Sequence, residues 1–230
     1  MKKYISIILA AVVVVFAISC QKQSAGKTRI TYYPTLTLSG DTYVFLTVGD
    51  TFSEPGIKAE MNGEDVSDQI KVNTNLDTNT PGLYPVVYTI ANSDGISASA
   101  IRYVIVHKST DNISGTYTTD AASYRDNGSA QTAMGGAFQI LIYPSENDDE
   151  YVVSDLLGGW YGQRAGYGSN YELVGTIKAT GGTLSLVDSY LIGWDDSALG
   201  FTGSYTDGTL VWDVIYAYAT WTFHIKVDKN

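Results

Sequence analysis

The sequence predicts an all-β protein with two domains: a small β-sandwich, then a second domain that is an antiparallel meander barrel or a sandwich. Apolar side chains recur at every second position in segments such as 83–90 and 221–227, which is the period of a half-buried strand. Clusters of Gly, Pro, Asn and Asp separate these segments, as at turns. Residues 107–112, HKSTDN, form a short polar stretch after which the composition changes, and we place the domain boundary there.

The first 20 residues, MKKYISIILAAVVVVFAISC, have the layout of a secretory signal. The apolar run from Ile5 to Ile18 is shorter than the roughly 20 residues that a transmembrane helix needs. The end of this segment, AISC at 17–20, resembles a bacterial lipobox, and the resemblance implies cleavage after residue 19 and lipidation of Cys20. We therefore expect a signal peptide at 1–19, and a lipidated cysteine with a polar tether at 20–29 that holds the protein at a membrane.

The charge balance restricts the possible partners. Without residues 1–19, which contain two lysines, the 14 basic residues fall to 12 against 24 acidic ones, a net charge of −12. Such a surface repels nucleic acid and anionic headgroups. We therefore expect no nucleic-acid partner.

The segment 30–107 alternates short apolar runs with turns, which predicts a small β-sandwich. Residues 42–50 form an apolar run that ends at Gly49. Residues 83–90 place alternate side chains on one face, and the turn NSDG at 92–95 joins them to a partner strand at 96–106. These segments predict a β-hairpin at the centre of the domain.

Two stretches of this domain, GDTFSEPG at 49–56 and NTPGLYPVVYTIANSDGISASAIRYVIV at 79–106, resemble the bacterial immunoglobulin-like domain of cell-surface and crystal-toxin proteins. The positions that match that family are Tyr84, Val86, Tyr88, Gly95, Ala98, Arg102, Val104 and Val106. The resemblance implies an immunoglobulin-like β-sandwich over 30–107 that serves as a spacer or adhesion module without catalysis.

The second domain, 112–230, holds all four tryptophans and eleven of the 18 tyrosines. Nine strands are predicted, at 113–119, 137–143, 150–155, 171–179, 183–188, 189–194, 199–205, 209–218 and 220–227. The last of them alternates most clearly, with Trp221, Phe223, Ile225 and Val227 on one face and polar side chains on the other. Since no segment predicts a helix, an antiparallel meander is the simplest arrangement.

Three stretches of the second domain, ISGTYTTD, DLLGGWYG and GFTGSYTDGTLVWDV, resemble the C-terminal domain that accompanies such immunoglobulin-like modules in lipoproteins of Bacteroidetes. The resemblance implies an outer-membrane lipoprotein of a gut-type bacterium, often near glycan-uptake systems, and it implies no activity. The stretch QKQSAGK after Cys20 lacks the acidic residues of many surface-exported lipoproteins. Both the surface and the periplasmic face of the outer membrane remain open.

The residues offer little for catalysis. The chain has two histidines, His107 at the domain boundary and His224 on the polar face of the last strand, and neither has the sequence context of a catalytic base. Asp195 and Asp196 are adjacent on the chain, so they do not form a facing pair of carboxylates. The acidic segment 145–150 lacks the spacing of a calcium loop. We expect no enzyme activity, no metal and no cofactor.

The segment 158–171, GGWYGQRAGYGSNY, contains five glycines and four aromatic rings, which predicts an irregular loop. Its rings either close one end of the core or form a stacking surface for a neutral sugar. In the second case the candidate ligand-binding residues are Trp160, Tyr161, Tyr167, Asn170, Tyr171, Trp194 and Asp195.

These observations predict a non-catalytic, membrane-anchored protein whose C-terminal domain binds a ligand, with a neutral glycan favoured. The alternative is a structural or protein-interaction lipoprotein of the envelope without a small-molecule ligand. Exposure of the rings distinguishes the two, because rings that only fill the core are buried.

Overall fold

The computed structural model describes residues 30–230, and the predicted signal peptide, Cys20 and tether lie outside the described residues. The regular secondary structure of the described chain is almost entirely β-strand, as the sequence predicts. The strands are β1 (Thr35–Leu38), β2 (Tyr43–Thr47), β3 (Ile57–Met61), β4 (Glu64–Asp65), β5 (Lys71–Thr74), β6 (Gly82–Ala91), β7 (Ser97–His107), β8 (Gly115–Thr119), β9 (Tyr124–Asp126), β10 (Gln131–Ala133), β11 (Gln139–Pro144), β12 (Glu150–Val153), β13 (Val174–Thr180), β14 (Thr183–Tyr190), β15 (Gly200–Thr206), β16 (Thr209–Ile215) and β17 (Thr222–Lys229).

Helical structure within the described residues is confined to three short turns. Ser67–Gln69 and Ser169–Tyr171 are single 3-10 turns, and Trp160–Arg164 is a π-helical turn. No helix in this part of the chain has the length and apolarity required to cross a bilayer.

The N-terminal unit is a sandwich of two sheets. One sheet has the order β1-β3-β4 and the other β2-β7-β6-β5, with β2 parallel to β7 and the remaining pairs antiparallel. The predicted hairpin is present as β6 and β7, which pair from Gly82 with Val106 to Ala91 with Ser97. Alternate residues of the two strands are buried between the sheets, among them Val86, Tyr88 and Val104.

A buried arginine connects the two sheets of the sandwich. Arg102 is fully buried on β7, and its guanidinium donates hydrogen bonds to the carbonyls of Asp41, Ser39 and Gly56. The Glu54 carboxylate lies 3.0 Å from the same guanidinium and also accepts a hydrogen bond from the Tyr88 hydroxyl. Because a buried charge is tolerated only when it is paired, this network fixes the segment 39–56 to the hairpin.

The C-terminal unit is a closed antiparallel barrel of eight strands. Strands β11 to β17 follow one another as a meander, and β8 closes the barrel by pairing with β11 on one side and β17 on the other. Closure leaves no free sheet edge among these eight strands. The sequence left open whether this domain is a barrel or a sandwich. The pairing of Val227 on β17 with Thr119 on β8 joins the last strand to the first and shows that the domain is a barrel.

Side chains fill the interior of the barrel. Trp212, Val214, Phe223 and Ile225 on β16 and β17 are all at most 2% exposed. The indole nitrogen of Trp212 donates to the Leu156 carbonyl at 2.7 Å, so this large ring is satisfied inside the core. The inward-facing side chains of β17, which alternate as predicted, therefore form one wall of a packed core rather than the lining of a cavity.

In the barrel, one predicted strand is absent from the structure and one short hairpin was not predicted. The predicted strand 189–194 does not form, because β14 ends at Tyr190 and a turn closed by the Leu191–Asp196 bridge follows. The short hairpin of β9 and β10 was missed by the sequence analysis; it pairs with β17 through residues 124–126. Its strands have three residues each, too few to show an alternating pattern.

The two ends of the barrel differ in their loops. Short connections at 145–149, 181–182 and 207–208 lie at one end. The opposite end, which we call the loop end, carries the longer segments 120–138, 154–173, 191–199 and 216–221. Binding residues in barrels concentrate on such loops, which a rigid scaffold holds in place.

Candidate functional site

The loop 154–173 is organised by one buried carboxylate. Oδ1 of Asp155 accepts the backbone N–H groups of Leu157 at 2.9 Å and Leu173 at 3.1 Å, and Oδ2 accepts that of Gly159 at 3.0 Å. The residue is fully buried, and burial raises its pKa to about 7. These bonds join the beginning of the loop to its end, so the rings between them project from a fixed base.

Glycines permit the path of this loop. Gly158 and Gly159 have φ values of 65° and 90°, which favour glycine. At Gly159 a Cβ atom would also come within 2.6 Å of the Phe138 side chain. The chain therefore turns sharply before the π-helical turn that carries Trp160 and Tyr161.

Trp160 lies in the barrel core, which corrects its place among the candidate ligand-binding residues. It is 3% exposed and its ring meets that of Phe223 edge to face at a centroid distance of 5.5 Å. The guanidinium groups of Arg125 and Arg164 lie 5.0 and 4.2 Å from its centroid. Two cations and a neighbouring ring occupy the surroundings of the indole, so it presents no face to a ligand.

Four other rings assemble at the loop end, and we call them the ring cluster: Tyr161, Tyr167, Tyr171 and Trp194. The Trp194 centroid lies 4.7 Å from that of Tyr161 and 5.0 Å from that of Tyr171, both in edge-to-face geometry. Tyr167 lies 5.5 Å from Tyr171 and is nearly parallel to Tyr161 at 6.4 Å. Tyr167 is 56% exposed and Trp194 is 44% exposed, while the other two rings are partly buried beneath them.

Contacts between the two loops place Trp194 against the tyrosines. The Gly193 N–H donates to the Asn170 carbonyl at 2.7 Å. A Cβ at Gly193 would come within 2.6 Å of the Tyr171 ring, so glycine allows this approach. The cluster is thus a joint product of the loops 154–173 and 191–199.

Polar groups lie around the exposed rings. The Asn170 side chain is exposed, and Asp195, also exposed, accepts a hydrogen bond from the Tyr190 hydroxyl at 2.6 Å. That bond raises the pKa of the Tyr190 hydroxyl, so it remains a protonated donor. Tyr190 was not among the sequence-derived candidates; the sequence placed it inside the predicted strand 189–194, whereas β14 ends at this residue.

Exposed apolar side chains continue beyond the ring cluster. Ile192, Leu199 and Tyr218 are 63%, 60% and 61% exposed, and all three lie on loops of the loop end. None of the three was a candidate from the sequence, because each falls in a segment predicted as a strand (189–194, 199–205 or 209–218), where an apolar side chain is expected to be buried. Together with Tyr167 and Trp194 they give this end of the barrel an apolar surface.

The two histidines, both within residues 30–230, lie in separate surroundings. His224 Nδ1 lies 2.7 Å from Oδ1 of Asp213 on the outer wall of the barrel. His107 contacts the backbone carbonyl of Lys108. No group of three or more His, Cys, Asp or Glu in this part of the chain is arranged to hold a metal ion.

Two family models match successive segments of the chain. A model for the immunoglobulin-like domain of bacterial surface proteins matches residues 36–106. A model for a C-terminal domain matches residues 107–229. A comparison with curated proteins finds no match.

A solved structure covers both units. The crystal structure of the lipoprotein BT2262 from Bacteroides thetaiotaomicron is 37% identical in sequence, with a TM-score of 0.77, over 86% of this chain and 100% of that chain. Two structures of Clostridium perfringens ZmpB also align. One contains CBM51-2 in complex with GlcNAc, and it is 13% identical with a TM-score of 0.29 over 85% of this chain and 43% of that one. The other contains the M60 catalytic domain with CBM51-1 and CBM51-2, and it is 15% identical with a TM-score of 0.30 over 86% and 21%. TM-scores this low do not indicate a shared overall fold.

Proposed function

The chain belongs to the family of bacterial lipoproteins that includes BT2262 of Bacteroides thetaiotaomicron, and on that premise we propose that it is an outer-membrane lipoprotein that binds a neutral glycan without catalysis. Cys20 carries the lipid, the immunoglobulin-like sandwich is the spacer, and the ring cluster of the barrel is the binding surface. Lipidation with two or more acyl chains gives stable anchoring.

The observation that carries this proposal is the exposure of Tyr167 and Trp194 on top of two supporting rings. Aromatic side chains in a barrel of this size normally fill the core, as Trp160 and Trp212 do here. The two rings of the cluster that are about half exposed are instead held at the loop end by the two rings beneath them, where a ligand can reach them. A sugar ring suits them, because its C–H face packs against an aromatic ring.

Hydrogen-bonding groups beside the rings complete the argument for a sugar. The Asn170 amide offers donors and an acceptor, and Asp195 offers acceptors to sugar hydroxyls. The surplus of acidic residues over the whole chain disfavours an anionic ligand. A neutral glycan satisfies both the apolar and the polar parts of the surface.

One observation favours a second function, the docking of another envelope protein. Ile192 and Leu199 are exposed aliphatic side chains on the loop 191–199 that also carries Trp194, and they add apolar surface to the loop end. Exposed apolar surface of this kind is typical of protein interfaces. In this case the loop end would bind a protein, and glycans would not compete.

The test is glycan-array screening followed by calorimetry with the soluble chain from residue 21. Trp194→Ala and Tyr167→Ala are each expected to weaken binding at least about tenfold, which corresponds to about 1.4 kcal/mol. Tyr33→Ala is the matched control, because this tyrosine is 66% exposed in the other unit. Binding that both loop-end variants leave unchanged would remove the ring cluster from the site, and binding of a protein but of no glycan would establish the alternative.

The anchor is tested separately by fractionation of cells. The wild-type chain is expected in the outer-membrane fraction and a Cys20→Ser variant in the soluble or unprocessed form. Protease treatment of intact cells then distinguishes the surface from the periplasmic face. A wild-type chain that is processed but soluble would contradict the anchor.

A further inference from the structure

A second concave surface lies on the outer wall of the barrel, away from the ring cluster. We call it the outer groove; its volume is about 510 Å³. Its floor is formed by outward-facing side chains of β15, β16 and β17, and the segment 120–124, which leaves the end of β8, forms one wall. The ring cluster instead belongs to the loops 154–173 and 191–199, so the two surfaces share no residue.

Strand register explains which side chains meet in the outer groove. Thr202 on β15 pairs with Asp213 on β16, Asp213 pairs with His224 on β17, and His224 pairs with Tyr124 on β9. Directly opposed residues of neighbouring strands point to the same face of a sheet. The register thus produces one continuous row of two ring side chains, a carboxylate and a hydroxyl across four strands.

The row contains a preformed aromatic wall. The Tyr124 and His224 rings stack with a centroid distance of 4.4 Å and an angle of 23°. His224 Nδ1 is held by Asp213 at 2.7 Å, which fixes the orientation of the imidazole. Beside this row, Val211 is 39% exposed on the groove floor, where it adds an apolar contact surface.

The lysine of the groove, Lys226, is already paired with carboxylates. Lys226 Nζ lies 2.8 Å from Asp120 and 3.1 Å from Asp228, and the hydrogen bond from this lysine lowers the pKa of Asp120. The Nδ1 atom of His224 lies 2.7 Å from Oδ1 of Asp213. An anionic ligand would have to displace a carboxylate from the lysine, and a cationic ligand would meet the positive charge of Lys226, which lines the same groove. A neutral ligand meets neither obstacle.

Several polar atoms nevertheless face the groove. The hydroxyls of Thr202 and Ser204 are on exposed residues of its floor. The described part of the chain gives Nε2 of His224 and Oδ2 of Asp213 no hydrogen-bond partner. These atoms provide both donors and acceptors within one small surface.

We propose that the outer groove is a second binding site, and that its ligand is a neutral sugar ring. A hexose has C–H faces for Val211 and the Tyr124/His224 wall, hydroxyls for Asp213 and Thr202, and no charge to disturb the existing ion pairs. This site does not depend on the ring cluster, so it stands even if the loop end binds a protein. If both bind sugars, one chain holds a glycan at two points, which increases avidity without stronger individual contacts.

The two histidines of the chain allow a direct test by NMR. Imidazole resonances of the soluble chain from residue 21 are followed during titration with glucose, galactose and mannose. At least one neutral hexose is expected to shift the His224 resonances saturably, while His107, at the end of β7, serves as the internal control. Glucuronate and glucosamine present the same ring with a negative and a positive charge, and we expect each to bind at least tenfold more weakly than glucose.

Variants assign the effect to the groove. Asp213→Asn and Tyr124→Ala are expected to abolish the hexose shift of His224, and Asp188→Asn, on the exposed surface of β14, is expected to leave it unchanged. Trp194→Ala is expected to leave it unchanged as well, which separates this site from the ring cluster. A His224 resonance that responds to none of the three hexoses, or that responds best to a charged sugar, would overturn the proposal.

Discussion

The buried carboxylate of Asp155 should impose a specific pH dependence on the stability of the barrel. Its pKa is about 7 in the folded chain, against 3.8 for an ordinary aspartate. Between about pH 4 and pH 7, Asp155 therefore keeps its proton in the folded chain but has released it in the unfolded chain. The stabilisation linked to this proton is therefore complete below about pH 4 and is lost as the pH rises to about 7.

The size of the effect follows from the shift. About three pKa units at 1.36 kcal/mol each correspond to about 4 kcal/mol, a large part of the 5–15 kcal/mol by which a domain is usually stable. Asp155→Asn keeps the shape of the side chain but does not titrate. It also turns an amide N–H toward a backbone N–H, which lowers stability by about 1–3 kcal/mol at every pH.

The measurement is urea unfolding of wild type and Asp155→Asn at about pH 5, 6, 7 and 8, followed by tryptophan fluorescence. All four tryptophans belong to the barrel, so their fluorescence follows that unit. Carboxylates such as Asp120 and Asp228, whose pKa values are lowered by Lys226 and Thr209, titrate equally in both proteins and cancel in the difference. The stability of wild type relative to the variant should fall by about 2.6 kcal/mol between pH 5 and pH 8, because the remainder of the effect is lost below pH 5. Parallel curves would refute the assignment of a raised pKa to Asp155.

Three further substitutions test the packing. Gly159→Ala should destabilise the barrel by more than about 1 kcal/mol, because the φ is positive and the new methyl group meets Phe138; unchanged urea midpoints would contradict this. Trp160→Ala should lower the free energy of unfolding by about 3–5 kcal/mol in the same assay, as expected for a core tryptophan; a much smaller loss would indicate that the ring lies at the surface. Glu54→Gln should lower the thermal midpoint of the N-terminal sandwich, observed by circular dichroism, because it leaves the charge of Arg102 without its carboxylate; an unchanged midpoint would show that the three carbonyls suffice.

The strands that the sequence predicted best are those with one buried and one exposed face. Residues 83–90 and 221–227 alternate clearly, and they correspond to β6 and β17. The failures are local. The predicted strand 189–194 is mostly a turn, since an apolar residue such as Leu191 is buried there without belonging to a strand.

The position of the ring cluster in the segment 158–171 and the 191–199 loop agrees with the sequence candidates, whereas Trp160 lies in the core. The segment 158–171 is an irregular loop, as its glycines indicated. Trp160 and Tyr161 are neighbours in that loop, yet the first is in the core and the second is in the ring cluster. Irregular backbone has no fixed period, so the sequence does not show which of two adjacent rings faces inward.

The sequence by itself determined the all-β class, the central hairpin of the sandwich and the alternating wall of β17, because period and turn chemistry are local properties of the chain. Only the tertiary structure decided that β8 pairs with β17 to close a barrel, that Gly193 brings Trp194 onto Tyr171, and that four strands align the row of the outer groove. Each of these features joins segments distant in the sequence. Such contacts form only when closure of the barrel compensates the entropy of closing the long loops between them.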